Sequence, residues 1–146
     1  MVLWRVSRHK DLKGVGGLRT PGRWHTAGRP IVYLAESPAG ALLEVLVHTA
    51  SNDIPPDYTL LHVEGPDLTF PVLDTDKLPA DWNTNLNTTQ DIGDKWLADA
   101  HSALLQVPSV IVPCTFNFLF NPLHSEARDF EIRRDYVYPF DVRLKR

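Results

Sequence analysis

The chain has 146 residues, 43% of them hydrophobic and 23% charged, with a net charge of −3, so it can bury one core of its own. That mild acidity argues against a general affinity for nucleic acid or an anionic membrane, and the single cysteine, Cys114, excludes an internal disulfide and fits a cytoplasmic address. No apolar run approaches the roughly 20 residues of a membrane span and no leader-like apolar segment opens the chain, so residues 1–146 read as one domain.

Residues 1–8 predict a strand, with Val2, Trp4 and Val6 alternating with Leu3, Arg5 and Ser7. Residues 9–20 are glycine-rich and basic, with Gly14, Gly16 and Gly17 among Lys10, Lys13 and Arg19. This predicts a flexible loop first and a phosphate-facing loop second, because no strand-loop-helix context surrounds the glycines. The apolar, β-branched run 31–35 lies between Gly28/Pro30 and Ser37/Pro38 and predicts a buried strand. Ser37 suits the N-cap and Pro38 the first turn of a helix over 38–48.

That helix is apolar almost all round, which predicts an interior position. Glu44 nevertheless sits in its middle, between the small residues Gly40 and Ala41 one turn back and Val47 and His48 one turn on. A buried, unpaired carboxylate costs several kcal/mol, so Glu44 must be paired, protonated or facing a polar pocket. Two readings stay open: an ion pair with Arg23 or Arg5, or a functional carboxylate.

Further on, 58–64 and 70–73 predict strands, and 74–86 is polar and irregular. Thr88 and Asp91 have capping-box spacing, and Ile92, Trp96, Ala100 and Ala103/Leu104 recur at helical spacing, predicting a helix from 88 that ends before Pro108. Strands are expected at 109–113 and 116–120. A turn follows at Asn121-Pro122, and closing strands at 129–133 and 136–144 are broken by Pro139. Strands outnumber helices without regular interleaving, which predicts an α+β fold with a mixed or antiparallel sheet.

Several short segments, taken in order, carry a resemblance. They are Gly22-Arg23-Trp24, Tyr33-Leu34-Ala35-Glu36-Ser37, Ala41-Leu42-Leu43-Glu44-Val45, Gly93-Asp94-Lys95-Trp96, Val107-Pro108-Ser109, Asn117 and Asn121-Pro122-Leu123-His124. Together they resemble the RES domain family, toxins of bacterial toxin–antitoxin pairs whose fold is similar to ADP-ribosyltransferases and which consume NAD. Two positions depart from the family pattern: His25 stands where Asn is frequent, and Ser125 where Pro is frequent.

The resemblance implies NAD as substrate, with no prosthetic group. Arg23 would fork onto the pyrophosphate, Tyr33 would line the nicotinamide–ribose pocket, and Glu44 would face the ribose. Ser109 and Asn121 are candidate substrate contacts, although a strand-start serine and an Asn-Pro turn explain them as well. The implied reaction is hydrolysis or phosphorolysis of the nicotinamide–ribose bond. Transfer of ADP-ribose to a protein is the alternative, and a non-enzymatic binding module the second alternative. The implied partner is an Xre-type antitoxin with a helix-turn-helix domain, and a homodimer within that complex is possible. Arg23, Arg19 and Lys13 are expected to form a basic entrance for the antitoxin to cover. Six scattered histidines and one cysteine argue against a zinc site, and no GxSxG elbow supports a serine hydrolase.

Overall fold

The computed structural model describes residues 1–145; Arg146, the last residue of the predicted domain, lies outside the described residues. Its strands and α-helices run β1 (Val2–Val6), α1 (Gly16–Arg19), β2 (Val32–Ala35), α2 (Pro38–Val47), β3 (Asp57–Glu64), α3 (Leu86–Asp99), β4 (Leu104–Pro108), β5 (Phe116–Phe120) and β6 (Glu131–Pro139). They form a six-stranded sheet in the order β4-β5-β2-β1-β3-β6, every neighbouring pair antiparallel. The fold is α+β with an antiparallel sheet, as the segment pattern predicts.

Alternation along the strands divides the core into two layers. One face collects Leu3, Val32, Leu34, Leu61, Val63, Leu104, Phe118 and Phe120, closed by Phe130 from the chain entering β6. The other collects Leu105, Val107 and Leu119 against Trp96 and Leu97 of α3, with Trp24 between them. The β2–β5 register sets Tyr33 opposite Leu119 and Ala35 opposite Asn117, so Tyr33 and Asn117 share this second face as diagonal neighbours. Helix α2 packs over β1 and β2 next to them.

α2 starts as expected. Pro38 occupies its first turn and the Gly40 amide donates to Ser37 Oγ at 3.0 Å. It is not an interior helix, however: Ala41 and Leu46 are buried while Val47 is 48% exposed. Only one of its sides meets the sheet, so its all-round apolar composition leaves apolar surface facing outward.

Other boundaries move for identifiable reasons. The glycine-rich stretch contains α1, with the Gly17 amide donating to the Gly14 carbonyl and the Leu18 amide to the Val15 carbonyl. The Gly14 carbonyl also accepts from the Ile31 amide and so braces the entry to β2. Gly14, at φ +68°, lies so close to Ile31 that a Cβ would meet its amide nitrogen at 2.6 Å.

The predicted strand 70–73 makes one parallel bridge, Val72 with Gln106, and covers the outer edge of β4. Pro71 has no N–H to extend the pairing. α3 begins at Leu86, not at 88, because Asn85 is the cap and accepts from the Thr88 amide. The helix stops at Asp99, where Ala100 turns left-handed at φ 50°, freeing Leu104 for β4. Residues 109–113 form the tip of the β4–β5 hairpin in place of a strand, since Ser109 Oγ captures the amides of Ile111 and Val112. The two expected closing strands are one: a 3-10 turn, Ser125–Asp129, precedes β6, and Pro139 ends it. At a sheet edge a proline costs no ladder partner.

Candidate active site

Arg23 lies on a loop that α3 holds from several sides. Gln90 Nε2 donates to the Gly22 carbonyl at 3.0 Å, Thr89 Oγ1 to the Arg23 carbonyl at 2.6 Å, and Asp94 accepts from both the amide and the hydroxyl of Thr26. The contact is so close that a Cβ on Gly93 would fall 1.6 Å from the Trp24 carbonyl oxygen. Trp24 is itself buried against α3 and faces Trp82, ring centroids 6.1 Å apart. These contacts account for Gly93-Asp94-Lys95-Trp96: Gly93 permits the approach, Asp94 pins the loop and Trp96 packs beneath it. The Arg23 guanidinium spends one N–H on the Asn83 carbonyl at 3.2 Å and keeps the rest of its five-donor fork.

Tyr33 reaches the same loop from β2. Its hydroxyl accepts from the Trp24 amide at 3.1 Å and meets His25 Nδ1 at 2.7 Å, while His25 Nε2 lies 3.0 Å from the Thr20 carbonyl. Burial pushes the Tyr33 phenol well above its ordinary range, opposed by the hydrogen bond from the Trp24 amide. Tyr33 is therefore a neutral hydroxyl, fixed in place and fully engaged.

Glu44 points from α2 over the end of β5. Its Oε1 accepts from Asn117 Nδ2 at 2.7 Å and, at a long 3.5 Å, from Ser109 Oγ. Neither arginine proposed for an ion pair goes there: Arg5 donates to the Asp11 carbonyl and Arg23 to Asn83. The carboxylate is thus held by neutral donors.

A cleft of about 780 Å³ is lined by residues 72–76, 82–83, 108–110 and 113–116. The lining includes Asn83, whose carbonyl accepts from Arg23, and Ser109, whose hydroxyl donates to Glu44. The charged side chains in the lining are Asp74 and Asp76; Arg23, Arg19 and Lys13 are all absent from it, so the expected basic entrance is not found in this cleft.

The structure brings Glu44, Ser109 and Asn117 into contact, sets Tyr33 beside Asn117 on the sheet, and carries Arg23 on the Tyr33 loop. Asn121 is not among them. It follows the opposite end of β5, four residues or about 13 Å along the strand from Asn117, where it is buried and its Oδ1 accepts from the Leu123 amide. Asn117, and not Asn121, is the asparagine bonded to Glu44. The available signal is its place inside the run Phe116-Asn117-Phe118-Leu119-Phe120, on the face of the buried Leu119, whereas Asn121 follows the strand. His25, where the sequence departs from the family pattern, is 2% exposed and bonds Tyr33. Among the described residues no group of three or more His, Cys, Asp or Glu side chains is arranged to hold a metal ion.

Comparisons with known proteins show the family and the fold. Over nearly its full length the chain is 46% identical to Toxin Res of Pseudomonas putida, covering 99% of each chain. It is 37% identical to the Prs ADP-ribosylating toxin of a Sphingobium species, covering 98% of this chain and 96% of that one. A chain of the M. tuberculosis MbcT–MbcA toxin–antitoxin complex superposes with a TM-score of 0.73 over 94% of this chain and 84% of its own, at 19% identity, which marks a common fold. The RES domain model matches residues 2–141, a span that takes in every segment of the cleft, and the chain belongs to the RES domain family.

Proposed function

We propose that this protein is the toxin of a toxin–antitoxin pair and that it destroys NAD by breaking the nicotinamide–ribose bond. The observation that carries the reading is the Glu44 carboxylate, held by Asn117 and Ser109 without a cation on it among the described residues. Nicotinamide on NAD is already a cationic leaving group, so no general acid is needed to expel it. The bond's electron pair passes to the pyridine nitrogen, and positive charge develops on the sugar. A fixed anion beside the ribose stabilises that charge, and it does so best when no neighbouring cation has neutralised it.

The other residues follow from this step. Asn117 aims the carboxylate while leaving its charge intact. Arg23 takes the diphosphate, its planar fork matching two phosphate oxygens. Tyr33, with its hydroxyl committed to Trp24 and His25, offers a ring face to the nicotinamide–ribose portion. Water or phosphate then adds to the sugar and releases its proton to solvent. The relatives named Toxin Res and the toxin–antitoxin complex sharing the fold support an antitoxin partner, which we take to be an Xre-type helix-turn-helix protein from the family resemblance alone. That partner would carry a carboxylate to Arg23 and so exclude NAD; a toxin dimer within the complex, in the cytoplasm where NAD is available, completes the reading.

One observation favours a second acceptor: the 37%-identical Sphingobium relative is named an ADP-ribosylating toxin. The same cleavage would then deliver ADP-ribose to a protein side chain. Product analysis after incubation with labelled NAD separates the cases. ADP-ribose in phosphate-free buffer means hydrolysis, a phosphorylated ADP-ribose appearing with phosphate means phosphorolysis, and label on a lysate protein means transfer. Intact NAD under all three conditions refutes the reading.

A further inference from the structure

His25 is buried, lies beside the candidate site and has no part in the proposed chemistry. Its two ring nitrogens have different partners, and these fix its tautomer. Nε2 lies 3.0 Å from the Thr20 carbonyl, which can only accept, so Nε2 carries the hydrogen. A neutral ring then has a bare Nδ1, 2.7 Å from the Tyr33 hydroxyl. That oxygen already accepts from the Trp24 amide at 3.1 Å, so its own proton points to Nδ1. The result is a chain: Trp24 N–H to Tyr33 oxygen, Tyr33 O–H to Nδ1, Nε2–H to the Thr20 carbonyl. It ties β2 to both ends of the loop that carries Arg23.

We infer that neutral His25 is a positioning residue, which locks the Tyr33 ring and the Arg23 loop in register by accepting the Tyr33 hydroxyl proton at Nδ1. This inference rests on the NAD-cleaving reading of the site. It assigns a role to the residue that departs from the family pattern. Without the Nδ1 acceptor the Tyr33 proton loses its partner, and the hydroxyl keeps only one of the two bonds that fix it. The charged groups facing the pair are Arg23, on the same loop, and Asp94 of α3, of opposite sign; Thr20 after α1 contributes only its carbonyl.

The test compares wild type, His25→Asn and His25→Ala, with Glu44→Gln as the reference, by kcat and KM for nicotinamide release from NAD. An Asn side chain places Oδ1 near the position of Nδ1 and accepts from Tyr33. His25→Asn should hold most of the wild-type kcat. His25→Ala should be about tenfold to a hundredfold slower, the size of a small misplacement at a reacting centre. Tyr33→Phe combined with His25→Ala should be no slower than the slower single variant, because each removes the same link.

The inference is overturned if a folded His25→Asn protein is about tenfold or more slower than wild type, or if His25→Ala turns over like wild type while Glu44→Gln is inactive. If Glu44→Gln itself stays active, the NAD-cleaving reading fails, whatever His25 does. Should His25→Ala fail to fold, the Asn comparison alone decides.

Discussion

Glu44 and Arg23, each bonded to a residue of the cleft lining, stand on supports of opposite design. Glu44 stands on a single helix, and two neutral side chains, Asn117 and Ser109, fix it from the strand and hairpin opposite. Arg23 stands on a loop gripped through its backbone by Thr89 and Gln90, pinned at Thr26 by Asp94 and joined to β2 through Tyr33. The acid is supported at its functional atoms, and the base at its main chain. The difference follows from what each must supply. A carboxylate that is to stabilise a cation must keep its charge, so it is oriented by dipoles and not by an arginine. A guanidinium that is to clamp a diphosphate needs its fork in the right place, and that placement comes from the loop beneath it.

Breaking the loop support should have the largest effect. Gly93→Ala drives a Cβ into the Trp24 carbonyl, a backbone group that cannot move aside alone. Turnover should be abolished and stability should fall by more than about 3 kcal/mol, beyond ordinary overpacking. Urea unfolding with a parallel NAD assay reads both, and a stable, active variant would detach α3 from the site.

Removing the acid's support should separate activity from stability. Asn117→Ala leaves the carboxylate on its helix but aims it by Ser109 alone, at 3.5 Å. The kcat should fall by about a hundredfold, as expected for a misplaced stabiliser. The thermal midpoint should barely move, because Asn117 is only partly buried. Equal losses in both quantities would mean that the pair is a structural contact.

Arg23→Lys sharpens the other side. The charge stays but the fork is lost, so NAD affinity should drop about tenfold, the lower end for one charged hydrogen bond. Calorimetric titration with an unchanged Kd would return Arg23 to its contact with Asn83.

The smallest effect concerns Tyr33. Its phenol titrates above its unfolded value of about 10, so the unfolded chain sheds this proton first as pH rises. The stability it contributes is complete below that pH and is lost as pH climbs through and beyond it. Thermal midpoints of wild type should therefore fall more steeply above pH about 10 than those of Tyr33→Phe. Parallel curves would contradict the burial of the hydroxyl.

Much of the Glu44 corner was legible in the sequence. A carboxylate in the apolar run 38–48 demanded a polar partner, and the Ser37-Pro38 start was readable from local chemistry alone. Its partner was not, because Asn117 lies 73 residues away and only strand register brings it there. Register also separates Asn117 from Asn121, which composition treats alike. The Arg23 loop was less readable. Glycines at 14, 16 and 17 suggest an open phosphate cradle, but the stretch folds into α1 and the Gly17 amide closes on the Gly14 carbonyl. The strand expected at 109–113 fails for a similar reason: one serine hydroxyl captures two amides and turns an apolar run into a hairpin tip. In each case a nonlocal or side-chain hydrogen bond overrides what periodicity proposes.

The central claim is that the uncompensated charge of Glu44 drives expulsion of nicotinamide. Measuring NAD affinity and nicotinamide release side by side for wild type and Glu44→Gln tests it most directly. The account predicts a Kd within a few-fold of wild type and turnover lower by about two to three orders of magnitude, the cost of one well-placed electrostatic stabiliser. A folded Glu44→Gln protein that releases nicotinamide at the wild-type rate would contradict it.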